Sequence, residues 1–578
     1  MKLVRAILGV FQRYFSEIDS PFNLAILRIV LFSIALFDPT TPEAEWFAGL
    51  PKALLHPPLG MEWLMSYIPL DPGFAHGAVL LLKVLCFFGL IGFFSRTSSL
   101  AAALCGIYVW GLPQLYGKVF HEFHILVWLM LLLALAPCAE VLSLDAVLKA
   151  FRAADRGRLP SNAPALKFGL PLRFTWLLMG VCYFYPGMWK AAAGPVWIFS
   201  NNLKYHLYQK WFLVGMLPSF RIDHYPFLCE LSALATVLFE LTFIFLVLFR
   251  RTRPIAPLGG LFFHAMTVVF MQINFWTLWV LYLCFINWDR FFTWTGEKLF
   301  PRPLYLLYDG NCKICRRTIF SFRQFDVFKR VVYLNSLEQT DQLPPGAPAL
   351  SEAALMRDMH VVIGGEKWLG YDAYRVLAPR IPLFWPLWPF LWLWPVPAVG
   401  KWIYRKVADS RMCQLRTKPL DAGSAEPESK GSLRPLMRMG FFLLAVNSVM
   451  GLGNRVAMWP FACYPTFQEV FRDPSTDELL VCGVLPNGQE ETLSLFSILD
   501  GKTDRGKIRG IAESILIPRF ANQMNERFIS LSAYLRSQYP DLNRYPKMRF
   551  YKAAYSIEPA MAGQPPISKK LLMEVANR

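Results

Sequence analysis

The chain reads as a multi-domain protein: a polytopic α-helical membrane bundle, an α/β domain, and a small α+β domain at its end. Three observations predict this. The 578 residues are 55% hydrophobic and 17% charged, where soluble proteins carry about 25% charged residues. Apolar runs of span length crowd the first 300 residues and recur once at 436–453. Stretches with strand and helix periodicity fill 301–420 and 455–578, and the whole length suits about three or four domains. The net charge of +18 fits basic inner loops of a membrane protein, because Lys and Arg lie between apolar runs and form no single patch. That distribution argues against a nucleic-acid partner.

Nine runs read as transmembrane helices: 21–37, 75–95, 98–115, 121–139, 172–190, 226–249, 255–271, 273–288 and 436–453. The pair over 255–288 reads as two tilted helices with a tight turn near Gln272–Asn274, or as one re-entrant element. Lys and Arg set the orientation. Lys2, Arg5 and Arg13, the basic residues from Lys149 to Arg173, and Arg250, Arg251 and Arg253 mark cytoplasmic segments. The loop at 38–72 has one Lys and several acids and falls outside. Eight spans over 1–300 therefore return 301–420 to the cytoplasm. The ninth, flanked by Arg434 and Arg438, puts 455–578 outside. Met1–Ser20 lacks a signal-peptide layout, so the start is expected to be retained. The expected location is integral and multi-pass, in a bacterial inner or plasma membrane. Residues 141–153 predict an interfacial helix on the cytoplasmic face, and 421–435 predict a linker.

Residues 304–308 have strand character. Asp309-Gly310-Asn311-Cys312-Lys313-Ile314-Cys315 follows, and Arg316–Phe328 shows helical spacing. Strand, tight turn and helix together put Cys312 at a helix N-terminus, where unpaired amides and the helix dipole favour a thiolate. Cys312 is then the attacking thiol and Cys315, one turn on, resolves the mixed disulfide. The alternative is half of a zinc site, for which only Cys413 and His360 stand in this domain, singly and far apart. No metal is expected. Residues 382–403, rich in Trp and Pro, predict a broken helical segment that packs on the domain and touches the membrane interface.

Tyr308-Asp309-Gly310-Asn311-Cys312-Lys313-Ile314-Cys315 resembles the D-x-x-C-x-x-C signature of the DCC family of thiol-disulfide oxidoreductases. Val332–Asn335, Val361–Gly365, Trp368–Ala373 and Tyr404–Arg411 resemble later motifs of that family, in order, so the resemblance covers roughly 305–413. It implies a thioredoxin-like fold and dithiol–disulfide exchange, with no cofactor required and a disulfide-containing protein or small thiol as substrate. Asp309 is the family's first motif residue; it either relays a proton to Cys315 or fixes the turn. Thioredoxins carry a cis-proline before the third strand, and here Met356–His360 holds no proline.

Tyr183-Phe184-Tyr185-Pro186-Gly187-Met188-Trp189-Lys190, with Trp197, resembles a motif of the HTTM family, the membrane domain shared with vitamin K-dependent gamma-carboxylase. The resemblance implies that Lys190 acts as a base; the plainer reading is an interfacial lysine. His124 and His121, at the outer start of the fourth span, are candidates to face Lys190, or are capping histidines. His264 and Glu240 lie within apolar runs and are candidates to pair with each other.

In 455–578, Glu478–Val484 and Glu490–Ile498 predict a hairpin around Pro-Asn-Gly, 506–538 predicts helices, and Met548–Ile557 predicts another strand. Cys463 and Cys482 are read as a structural disulfide or as two buried thiols. Three functions follow. The first is a membrane-bound thiol-disulfide oxidoreductase, with a quinone-like lipid as a candidate partner through the HTTM resemblance. The second is a carboxylase- or epoxidase-like enzyme at Lys190 with the Cys pair as reducing adjunct. The third is a non-catalytic membrane scaffold.

Overall fold

Every expected span is helical over most of its length. The structure, a computed structural model, describes residues 2–577 apart from 60, 63, 64, 66, 118, 158–161, 337, 349, 412–431, 463–466 and 517–522. Among these, four helices are long and apolar enough to cross a membrane: Pro72–Ile91, Ser95–Leu115, Pro226–Leu248 and Arg434–Leu452. Pro21–Phe37, His121–Leu135, Ile255–Met271 and Trp276–Phe285 are shorter apolar helices. The fifth expected span lies inside Leu166–Ala192, a 27-residue helix buried along almost its whole length. Its glycines allow close packing: a Cβ on Gly187 would stand 2.7 Å from that of Glu240 on Pro226–Leu248. The 255–288 region forms two helical stretches about a turn, with Gln272 left-handed at φ 54°. The expected linker falls largely in 412–431, outside the described residues.

Residues 301–411 build a four-stranded sheet in the order β2-β1-β3-β4. The strands are β1 (Leu304–Tyr308), β2 (Val331–Asn335), β3 (His360–Ile363) and β4 (Glu366–Leu369). β1 runs parallel to β2 and antiparallel to β3, which pairs antiparallel with β4. β1 is apolar throughout because both its faces are covered. Leu304 and Leu306 join Ile319 and Phe320 of the helix Lys313–Arg323. Leu307 joins Leu334, Leu355 and Val362 on the other face. The helix after the cysteines stops at Arg323, short of the expected Phe328, where Gln324 turns its amide back onto the Phe320 carbonyl.

The helix expected at 141–153 spans Leu144–Arg156 and does more than lie at an interface. Ala150, Ala153 and Ala154 pack into the core beneath Ile319 and Phe320, and small side chains permit that approach. Leu144, Leu148 and Phe151 stay exposed.

The C-terminal region forms an antiparallel sheet, β6-β5-β7-β8: β5 (Ser475–Val484), β6 (Glu490–Leu493), β7 (Lys547–Ser556) and β8 (Ser568–Ala576). β6 is shorter than expected, since Ser494 caps a helical turn at Leu495–Ile498. Helices Arg505–Leu516 and Met524–Gln538 pack with the sheet in one core, through Ile508, Phe528 and Phe550.

The two sheet regions meet the helical part of the chain at different places, the first at the start of the helix Pro21–Phe37 and the second at residues 43–55 that follow it. At the helix start, Phe22 packs with Val141, Val327 and Phe328. Beyond its end, Arg527 donates to the carbonyls of Ala53, Leu54 and Leu55, and Lys507 pairs with Glu43 at 3.0 Å.

Candidate functional site

The turn after β1 is built from three local interactions. Asp309 Oδ1 accepts the Asn311 N–H at 2.8 Å, and the Asp309 carbonyl accepts the Cys312 N–H at 3.2 Å. Asn335, at the end of β2, accepts the Gly310 N–H at 3.1 Å. Only glycine fits at 310, because a Cβ there would lie 2.3 Å from Asn335 Oδ1. Cys312 is the N-cap of Lys313–Arg323, with an extended backbone, and its Sγ accepts the Cys315 N–H at 3.3 Å. An amide aimed at sulfur from a helix N-terminus stabilises negative charge there. Both cysteines are partly exposed, and Cys315 follows one turn later on the same helix.

The surrounding charge comes partly from a distant segment. Asp155 takes a bidentate pair from Arg317, at 2.6 and 2.9 Å, and lies 3.7 Å from Lys313. Hydrogen bonding from Arg317 holds the Asp155 carboxyl below its ordinary range. Arg316 is fully buried. Burial pulls its pKa down, and the nearby carboxylates of Asp155 and Asp309 oppose that. Beside Cys315 lies a small pocket of about 50 Å³ lined by Tyr308, Ile314, Met359, Tyr374, Tyr404 and Val407, among others. Tyr404 OH accepts the Met359 N–H at 2.9 Å, which ties the helix Val396–Arg411 to the start of β3.

Residues 306–416 match the DCC1-like thiol-disulfide oxidoreductase family. No curated protein and no solved structure matches the chain. The DCC1-like segment holds the whole Cys312 turn, β2 to β4 and the pocket.

The other candidate residues are spread out. Lys190 Nζ donates to Glu240 Oε1 at 2.5 Å, with both side chains almost fully buried, and stands 5.4 Å from the Trp197 ring. Glu240 is thus taken by Lys190 and not by His264, contrary to expectation. His264 Nε2 meets Tyr183 OH at 2.7 Å, and Tyr183 OH in turn meets Tyr282 OH. His124 donates from Nε2 to the Met458 carbonyl at 3.2 Å and packs against Trp459; His121 stacks obliquely on His124. His124 therefore serves the junction with Met458 and Trp459. His360 donates from Nδ1 to the Asp358 carbonyl. Among the described residues no group of three or more His, Cys, Asp or Glu is placed to hold a metal. Cys482 is a buried free thiol on β5, and Cys463, expected as its partner, lies outside the described residues.

Asp155, Asn335, Met359 and the pocket tyrosines were missed as site residues. Asn335 had a signal, since a polar residue closing an apolar parallel strand sits beside the β1 turn. Asp155 had none beyond being an acid in a basic loop.

Proposed function

We propose that the protein is a membrane-bound thiol-disulfide oxidoreductase working through Cys312 and Cys315. The observation that carries this is Cys312 at a helix N-terminus, its sulfur facing the Cys315 amide, inside a segment that matches an oxidoreductase family. The Cys312 thiolate attacks one sulfur of a substrate disulfide and forms a mixed disulfide, and the first substrate thiolate leaves. Cys315 then attacks Cys312 Sγ, its proton goes to the departing second thiolate, and the pair ends as a disulfide. Two electrons have passed to the substrate, and a cellular dithiol resets the pair. No cofactor enters this sequence. Asp309 holds the turn through Asn311, and a proton role at Cys315 remains a second task for it.

A thioredoxin-like fold is supported by the parallel β1–β2 pair joined through a helix, followed by the β3–β4 hairpin and a closing helix. Met359, directly before β3, lines the pocket beside Cys315. A multi-pass bundle with the redox domain inside and 455–578 outside is supported by the four long apolar helices and by the two regions docking on different segments, one at the start of Pro21–Phe37 and the other on residues 43–55.

A second reading places chemistry in the membrane domain at Lys190, as the HTTM resemblance implies, with a quinone-like lipid as partner. The buried Lys190–Glu240 pair favours it, because ionisable residues within apolar helices mark functional sites. The discriminating experiment is the full chain in detergent, titrated in a glutathione redox buffer while Cys312 and Cys315 alkylation is followed. A reversible two-electron transition lost in Cys312→Ser and kept in the double variant Lys190→Met with Glu240→Leu supports the first reading. No reversible transition would overturn it and move the search to Lys190.

A further inference from the structure

The domain that carries Cys312 displays a large apolar surface that its own core does not use. It runs from the helix Trp288–Leu299, where Phe291 and Trp294 are exposed, to Trp385 through Trp394 and on along Val396–Arg411. Trp394 is 86% exposed. These side chains are held outward by built contacts. Arg375 lies 3.5 Å over the Trp392 ring and is itself fixed by Asp372. Tyr371 OH donates to the Leu391 carbonyl, and Trp385 Nε1 to the Pro379 carbonyl. Gly400 sits so close to Tyr371 that a Cβ would meet its ring at 2.2 Å. Phe328, itself buried, packs against both Phe292 and Trp385, which joins the Trp-rich segment to the helix that follows the apolar segment ending at Phe285. Lys401 and Lys406 flank Trp402 on its helix, Lys406 at 4.3 Å over its ring.

We propose that this surface lies in the headgroup region of the bilayer and turns the pocket beside Cys315 toward lipid, so that the disulfides exchanged are those presented at the membrane interface. The occupant is lipid because the surface is joined to the helix that follows an apolar segment, is rich in Trp, and carries Lys beside Trp402, the chemistry of an anionic interface. The link to the redox site is the helix Val396–Arg411. Its inner face, Gly400, Tyr404 and Ala408, packs on the domain, while Val399, Ile403 and Val407 form an exposed stripe at a spacing of one turn. Val407 ends that stripe and also lines the pocket with Cys315. This rests on the thiol-disulfide reading above.

The test uses the full chain, reduced, in phosphatidylcholine–phosphatidylglycerol vesicles. Two probes are compared: a phosphatidylethanolamine bearing a 2-pyridyl disulfide on its headgroup, and the soluble mixed disulfide of glutathione with 2-thiopyridine. Attack by Cys312 releases 2-thiopyridone, read by absorbance; Cys315 then frees the second thiol. The triple variant Trp394→Ser, Trp402→Ser, Ile403→Ser is expected to lose about tenfold in rate on the lipid probe while the soluble rate stays within roughly twofold, because only the local concentration of interfacial substrate changes. Trp394→Ser alone, at a side chain without core contacts, is expected to move the same way. Equal losses on both probes, or none on either, overturn the proposal. So does finding two copies per nanodisc for the wild type and one for the triple variant, which assigns the surface to self-association. If Cys312→Ser leaves release from the soluble probe intact, the redox reading itself fails; if it removes that release but the wild type shows no surface-dependent use of the lipid probe, only the interfacial proposal fails.

Discussion

Removing Lys190 alone is expected to be among the costliest single changes in the N-terminal helical region. Lys190 and Glu240 are 2% and 3% exposed and 2.5 Å apart. Among the described residues Glu240 Oε2 has no hydrogen-bond partner, and Oε1 accepts from Lys190 Nζ. Gly187 packs directly on the Glu240 Cβ, which leaves no room for water to enter along that face. Lys190→Met therefore strands a buried carboxylate, at a cost of about 3–5 kcal/mol. Lys190→Met with Glu240→Leu removes both charges, and the pair's desolvation penalty goes with them, so the double variant should fall within about 1 kcal/mol of wild type. Glu240→Leu alone strands a buried ammonium at a similar cost, so the double-mutant cycle yields a coupling of at least about 5 kcal/mol, above the roughly 0.5–3 kcal/mol usual for residues in contact. The assay is reversible unfolding of the full chain in mixed micelles, with each variant measured under the same detergent composition. A Lys190→Met cost below about 1 kcal/mol, or a double variant as damaged as the single, would refute the reasoning. The same variants carry functional weight: intact disulfide exchange in the stable double variant would separate the redox site from Lys190.

Three further outcomes are expected. Gly310→Ala drives a methyl into Asn335, whose own N–H is held by Gln339 at 2.9 Å, and should destabilise the domain by about 1–3 kcal/mol with faster alkylation of Cys315; wild-type melting of that variant would contradict the packing. Asp326 is buried, and burial raises its pKa from 3.8 to about 7 against the opposing amides of Arg330, Lys329 and Val331. Its folded form holds the proton more tightly than the unfolded form, so its contribution to stability is full below its ordinary value of 3.8 and is lost as pH rises through about 7. Asp326→Asn should flatten that slope and melt higher than wild type at pH 8, by an amount on the order of a few kcal/mol; equal slopes between pH 5 and 8 would exclude Asp326 as the cause. Asp155→Ala leaves Lys313 and Arg317 unopposed beside Cys312, and should raise the rate of Cys312 alkylation at pH 7 by about twofold to threefold, with the gain shrinking at high salt; a slower rate would reverse the assigned sign of the local field.

What the sequence determined by itself was what local physics encodes. Apolar runs gave the helices at 21–37, 226–248 and 434–452 nearly residue for residue. The strand, Asp-Gly turn and helix around Cys312 were legible because β1, the turn and the N-cap lie within a dozen residues. The C-terminal hairpin was legible from Pro-Asn-Gly, while β8 was not, since Ser568–Ala576 is lysine-rich and owes its strand to pairing with β7. The tertiary structure alone decided the partners. Asn335 reaches Gly310 across 25 residues, Glu240 reaches Lys190 across 50, and Asp155 reaches Arg317 across 162. The helix Leu144–Arg156 shows the same limit, for its periodicity announced an amphipathic helix but not which surface would take it. Four alanines' worth of small side chains suit a lipid surface or another helix equally well, and the choice was made by Ile319 and Phe320, brought there by the parallel crossover between β1 and β2. Periodicity tells a segment what shape to take; the burial that decides what it touches is a property of the assembled chain.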